Sequence, residues 1–246
     1  MGFIAYARKL MARRRQRQLV RRLAALRRSY PADVLSVAKL EQQPGFAALR
    51  ERIRRAGTAS LSHFGNGYTH EGGYHLQQNP DEFASLLLFL QSRAPFAQYL
   101  EIGSASGGAC LLLSQTVKLG RVLSLDDGQH PDAGLQDRHF AQIPGCVRFL
   151  GDSHGVLARQ FLETHVREPL DVAFIDGDHS YSGVTQDVQL VWPHCRPGTL
   201  LILHDTVACE GVAQAWWDLN REGRVRPCAE FLGADKPLGI AVAEVL

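Results

Sequence analysis

Two short stretches of this chain end in side chains suited to chemistry rather than to filling a core. In Asp171-Val-Ala-Phe-Ile-Asp-Gly-Asp-His-Ser-Tyr181 an apolar run stops at Asp176, Asp178 and His179; in Leu200-Leu-Ile-Leu-His-Asp205 another stops at His204 and Asp205. An open α/β sheet collects its ligands beyond the carboxyl ends of its strands, so carboxylates and imidazoles there are placed for proton transfer or ligand binding. Asp-Gly is also ordinary turn chemistry, and taken alone the first run is open to that reading. A third stretch, Glu101-Ile-Gly-Ser-Ala-Ser-Gly-Gly108, puts a glycine turn between an apolar strand and an apolar helix at Ala109 to Leu113. Glycines let the backbone approach a ligand closely, and a helix start offers free N–H donors. The spacing is Gly-x-x-x-Gly instead of the dinucleotide Gly-x-Gly-x-x-Gly, and no Gly-Lys-Ser/Thr follows, which excludes a P-loop.

The elements that must position these groups alternate along the chain. Apolar runs at Tyr99 to Ile102, Val122 to Leu125, Val147 to Leu150, Val172 to Ile175 and Leu200 to Leu203 are separated by helical patterns. This alternation predicts an α/β fold: a doubly wound, mostly parallel Rossmann-like sheet with helices on both faces and an N-terminal helical extension. Asp126-Asp127 ends the second strand roughly 20 residues after Gly103, where such sheets hold ribose hydroxyls. Gly151-Asp152-Ser153 ends the third, a polar turn able to hydrogen-bond an adenine amino group. Asp81 to Gln91 reads as a helix starting near Asn79, Val212 to Leu219 as a late helix and Gly239 to Ala243 as a late strand. Residues 57–80 are rich in Gly, His and Tyr and are expected to form a loop or lid in which His70 and His75 contact substrate. The predicted division is a basic tail over 1–30, a helical region and lid over 31–80, and the main domain over 81–246.

Charge is unevenly spread. Ten of the 27 Lys and Arg residues lie within residues 1–30, which hold no acid, while all 25 Asp and Glu lie beyond them. Leu19, Leu23 and Leu26 recur at helical spacing within this basic segment. Such a helix suits either an anionic membrane surface or acidic partner, or a solvated helix that packs its leucines on the domain. No aromatic stacking platform accompanies the arginines, which argues against nucleic acid. The five cysteines are scattered with no Cys-x-x-Cys pair, so neither a zinc knuckle nor a disulfide framework is predicted. No run is long and apolar enough to span a bilayer. The expected setting is cytoplasmic, peripheral at a membrane if the tail docks there, and self-association is left open.

Taken together, Gln77-Gln-Asn-Pro80, Leu100-Glu-Ile-Gly-Ser-Ala-Ser-Gly-Gly108, Phe174-Ile-Asp-Gly-Asp-His-Ser-Tyr181 and Arg196-Pro-Gly-Thr-Leu-Leu-Ile-Leu-His-Asp205 resemble the class I S-adenosylmethionine-dependent methyltransferases. The likeness is greatest to the small-molecule O-methyltransferases of the cephalosporin-biosynthesis and macrolide-sugar type. The resemblance implies S-adenosylmethionine as cofactor. It assigns Glu101, Gly103 and Gly107 to the methionine pocket, Asp126 to the ribose, and Asp152 with Ser153 to the adenine; Ser104, Ala105, Asp127 and Asp176 complete the candidate cofactor-binding set.

Methyl transfer from a sulfonium to a hydroxyl requires in-line attack by an oxygen that gives up its proton. Asp176, His204 and Asp205 are the candidate ligands of a divalent cation, magnesium or manganese, that would orient acceptor hydroxyls. The resemblance puts two acids, or an acid and an amide, where this chain has His204-Asp205, and imidazole is an unusual magnesium ligand. A metal-free site with His204 as base is therefore the second reading, and His179 is the other candidate base. Asp187 is read as a surface or helix-packing residue; of Trp216 and Trp217, one is expected in the core and the other at the acceptor pocket. The acceptor expected is a small polyhydroxylated molecule: a sugar, a glycoconjugate or a secondary metabolite. A non-catalytic cofactor-fold module docking through its basic tail and a nucleotide-linked oxidoreductase are the alternatives.

Overall fold

The computed structural model describes residues 3–57 and 73–246. Most of the expected lid, with His70, lies outside the described residues. Seven strands form one sheet in the order β3-β2-β1-β4-β5-β7-β6. They are β1 Phe96–Ile102, β2 Leu119–Asp126, β3 Val147–Leu150, β4 Leu170–Ile175, β5 Cys195–His204, β6 Val225–Phe231 and β7 Ile240–Val245. All pairings from β3 to β5 are parallel, and β7 runs antiparallel between β5 and β6. The chain order switches direction between β1 and β4, which opens a crevice at their carboxyl ends.

Both faces of the sheet are covered, and side chains alternate between them. Tyr99, Val122, Val172, Phe174, Leu200 and Ile202 join the core under α3 Phe46–Arg55, α4 Pro80–Gln91 and α5 Gly108–Thr116. Leu100, Leu123, Ala173, Ile175, Leu201 and Leu203 join the opposite core under α7 Val156–His165, α8 Tyr181–Val191 and α9 Glu210–Arg221. Strands buried on both faces read as continuous apolar runs, which is why they stood out in the sequence. Two further helices are short, α2 Val37–Leu40 and α6 Gln136–Phe140.

The helix α4 starts where Asn79 accepts hydrogen bonds from Asp81 N and Glu82 N at 3.0 and 3.3 Å, with Pro80 at its first position. Glu82, fully buried, accepts from Gly233 N and Gly239 N at 2.8 and 2.9 Å. Its carboxylate thereby fixes the loop between β6 and β7 to α4.

The basic helix α1, Phe3–Arg28, packs on the domain. Leu19 and Leu23 are buried in the same core as α9, and Leu26 and Tyr30 pack against it. Trp216 Nε1 donates to Tyr30 Oη at 2.9 Å, Arg27 pairs with Glu230 at 2.8 Å, and Arg22 lies 4.7 Å over the Trp217 ring. The stripe Leu19, Leu23 and Leu26 thus packs on the domain. Trp217 lies between Arg22 and Arg221 on this same side and does not reach the crevice. Trp216 is the core tryptophan. Among the described residues no helix is long and apolar enough to cross a membrane.

Candidate active site

A cleft of about 720 Å³ runs along the carboxyl ends of β3, β2, β1, β4 and β5. Its floor is the glycine turn. Gly103 adopts φ +85°, and a Cβ there would lie 2.1 Å from the carbonyl oxygen of Asp176, so only glycine lets the turn after β1 nest against the end of β4. Asp126 clamps the turn from β2: one carboxylate oxygen accepts from Ser104 N and Ala105 N at 2.8 and 2.9 Å, the other from Gly128 N and Gln136 Nε2 at 2.8 and 2.7 Å. Asp127 beside it is more open and accepts from Gln129 N at 2.9 Å. Both acids sit on the cleft wall, as do Ser104 and Ala105.

Glu101 and Gly107 lie behind the turn instead of on the cleft wall. Glu101 is 1% exposed and accepts from Tyr99 Oη at 2.8 Å. Burial pushes its carboxyl up to about 8, so the acid is neutral in the fold at neutral pH. Gly107, at φ +78°, starts α5 against the Phe140 ring.

At the end of β3, Gly151, Asp152 and Ser153 form the next section of wall. Ser153 Oγ donates to Asp187 Oδ1 at 2.7 Å, and His154 Nε2 lies 3.2 Å from the same oxygen. Asp187 is fully buried, and burial raises its carboxyl above the usual range. The surface option for Asp187 is therefore corrected: it is a helix-packing acid that ties the β3 loop to α8. The signal was present, because Asp187 falls in the stripe Val184, Val188 and Val191 at helical spacing.

At the other end of the cleft four titratable side chains converge. Asp176 Oδ1 lies 3.2 Å from His204 Nδ1 and 3.4 Å from His179 Nε2. Asp205 reaches the same imidazoles, Oδ1 at 3.4 Å from His204 Nδ1 and Oδ2 at 3.1 Å from His179 Nε2. Burial pushes the Asp176 carboxyl up, but the His204 and His179 imidazoles outweigh it and hold the carboxyl well below its ordinary range. Burial likewise opposes charge on His204, and Asp176 and Asp205 override it, raising this imidazole well above its ordinary value. The hydrogen bond to Asp176 raises His179.

The two histidines are not equivalent. The His204 side chain is 3% exposed and the His179 side chain 43%. His204 faces inward beside Phe174, and neither of its ring nitrogens makes an aligned hydrogen bond. Asp205 holds φ +62°, a left-handed conformation costly for a residue with a side chain and common at sites where orientation matters. The ligand atoms of Asp176, His204 and Asp205 lie within 4.8 Å of one another, and the unsatisfied buried Nδ1 of His204 completes a nitrogen-and-oxygen donor set that fits a divalent cation. Gln78, from the stretch before α4, places its Nε2 3.5 Å from Asp176 Oδ2. His75, His130 and His154 also line the cleft, and nothing in their local sequence placed the last two there.

A sheet ordered 3-2-1-4-5-7-6 with one antiparallel strand, and a cleft bounded by these strand ends, define the class I S-adenosylmethionine-dependent methyltransferase fold. More narrowly, residues 100–206 match the family model described as a methyltransferase domain. Among solved structures the fold is similar to an O-methyltransferase from Bacillus cereus in complex with S-adenosylhomocysteine (TM-score 0.54, 19% identity, 84% of this chain and 93% of that one). It is also similar to the O-methyltransferase TomG from Streptomyces achromogenes, involved in tomaymycin synthesis and solved with S-adenosylmethionine (TM-score 0.56, 16% identity, 80% and 89%). A third is a TDP-rhamnose 3'-O-methyltransferase of calicheamicin biosynthesis (TM-score 0.52, 13% identity, 82% and 95%). One curated relative, an uncharacterized protein of Acanthamoeba polyphaga mimivirus, is 26% identical over 115 residues. That match spans 44% of this chain and 50% of the relative.

Proposed function

We propose that this protein transfers a methyl group from S-adenosylmethionine to a hydroxyl of a small polyhydroxylated acceptor. The observation that carries the proposal is the meeting of Asp176, His179, His204 and Asp205 at one end of a cleft whose other walls are the glycine turn, Asp126–Asp127 and Gly151–Ser153. The cofactor, when bound, supplies an electrophilic methyl on a sulfonium. The glycine turn would give its amino-acid end close backbone approach, Asp127 and the clamped Asp126 would hold the ribose, and the Asp152–Ser153 turn, backed by Asp187, would hold the adenine. A TDP-rhamnose O-methyltransferase among the similar structures supports a sugar hydroxyl as acceptor.

On the acceptor side, His179 is the base this reading favours, because its imidazole is half exposed while His204 is enclosed. With Nε2–H directed at the Asp176 and Asp205 carboxylates, His179 would take the proton of an acceptor hydroxyl on its other ring nitrogen, Nδ1, and the two carboxylates would stabilise the imidazolium. Asp176, His204 and Asp205 would hold a divalent cation, which supplies orientation of neighbouring hydroxyls and a lower hydroxyl pKa. Gln78 Nε2, 3.5 Å from Asp176 Oδ2, would help to position that carboxylate.

Calorimetry with S-adenosylhomocysteine, with and without divalent ions, tests the cofactor; methyl transfer to a panel of sugars and nucleotide sugars, with and without chelator, tests the acceptor and the cation. Absence of S-adenosylhomocysteine binding removes the cofactor assignment, and transfer indifferent to chelator removes the cation.

A further inference from the structure

The carboxylate of Asp205 is shared between two sets of ligand atoms. Its Oδ1 lies 3.4 Å from His204 Nδ1, and its Oδ2 lies 3.1 Å from His179 Nε2, an imidazole that also faces Asp176 Oδ1 at 3.4 Å. Beside His179 the next group is Cys209, and the ligand atoms of His179, Asp205 and Cys209 all lie within 4.8 Å of one another. A single turn of backbone brings the thiol there: Cys209 N donates to Asp205 O at 3.0 Å, directly before α9.

We propose that His179, Asp205 and Cys209 form a second cation site, one that takes a thiophilic divalent ion of the zinc type and is separate from the position between Asp176 and His204. The donor set carries the choice of ion. Imidazole, carboxylate and thiolate suit borderline-soft zinc, whereas the first set has no sulfur and suits a harder ion. Zinc bonds of about 2.0–2.3 Å at tetrahedral angles separate ligand atoms by roughly 3.3–3.8 Å. The observed 3.1 Å between His179 Nε2 and Asp205 Oδ2, with the thiol inside 4.8 Å, needs only a small side-chain adjustment to meet that spacing. Three protein ligands leave a fourth position for water. All three line the cleft, so an ion has a path in, and no other cysteine among the described residues does.

One consequence rests on the function proposed above. An ion held here binds the imidazole assigned as base and lowers its basicity, so zinc would inhibit methyl transfer. The same loop would then make turnover sensitive to free zinc while leaving the cofactor end of the cleft open.

The test is titration of the full chain with cobalt(II) as a coloured stand-in for zinc, in wild type, Cys209→Ser, Cys195→Ser and His179→Gln. Expected are a near-ultraviolet thiolate-to-cobalt band in wild type and Cys195→Ser, its loss in Cys209→Ser, and its discharge by zinc. Zinc affinity should fall on the order of 100-fold in Cys209→Ser, and similarly in His179→Gln, with thermal melts showing that each variant folds. No thiolate band in wild type, or a band that survives Cys209→Ser, overturns the site. A Cys209-dependent band supports it whether or not S-adenosylhomocysteine binds, so failure of the methyltransferase reading and failure of this one give different results.

Discussion

Replacing Glu101 by glutamine should make the protein's stability less dependent on pH. The Glu101 carboxyl is 1% exposed at the end of β1 and burial raises it from 4.5 to about 8. Between those two values the folded chain holds one proton that the unfolded chain has released. The difference in bound protons, unfolded minus folded, is then negative, and stability falls with rising pH by about 1.4 kcal/mol per unit. The stabilisation is fully present below the unfolded value and gone above the folded one, amounting to about 5 kcal/mol over the whole window. Glutamine resembles the neutral acid, keeps an oxygen for Tyr99 Oη and cannot ionise.

The assay is urea unfolding of both proteins at constant ionic strength between about pH 5 and about pH 8, where the gap between them should widen by about 4 kcal/mol in favour of glutamine. The other titratable groups are common to both proteins and cancel in the difference. Stability curves that stay parallel across this range would refute the reasoning, because they would mean that the carboxylate is ionised in the fold without penalty.

Other substitutions separate the parts of the site. His179→Ala should lower kcat by about 10²–10⁴ with S-adenosylhomocysteine affinity unchanged, measured by methyl transfer and calorimetry; an equal loss of affinity would argue that the residue is structural. Gly103→Ala forces a left-handed alanine against Asp176 O and should cost about 1–3 kcal/mol in strain together with weakened S-adenosylhomocysteine binding, read by denaturation and calorimetry. Leu23→Ala should cost about 2–5 kcal/mol in urea unfolding if α1 is docked in solution as it is here; a silent substitution would mean that the helix is free. Asp187→Ala unties Ser153 and His154 and should weaken S-adenosylhomocysteine binding while leaving cation binding at Asp176 intact, checked by paired titrations.

What the sequence determined by itself was whatever depends on neighbours in the chain. Strand runs buried on both faces, the Asn79 cap of α4, the glycine turn, and acids at the ends of β2 and β4 are local patterns whose physics acts over a few residues, and they put the cleft at the right edge of the sheet. Tertiary structure decided what depends on distant partners. Gln78 meets Asp176 across 98 residues, Glu82 meets Gly233 across 151, and Arg27 meets Glu230 across 203. No local periodicity encodes such pairs. The leucines of α1 were equally suited to a membrane or to the domain, and only the fold shows Leu19 and Leu23 buried in the same core as Trp216. His179 and His204 were indistinguishable as candidate bases until the chain folded. One imidazole ends β5 and is enclosed by packing beside Phe174; the other follows β4 in a loop and stays half exposed, facing the same two carboxylates from the cleft. Burial is a property of the whole assembly of elements, and here it leaves one imidazole half exposed and encloses the other.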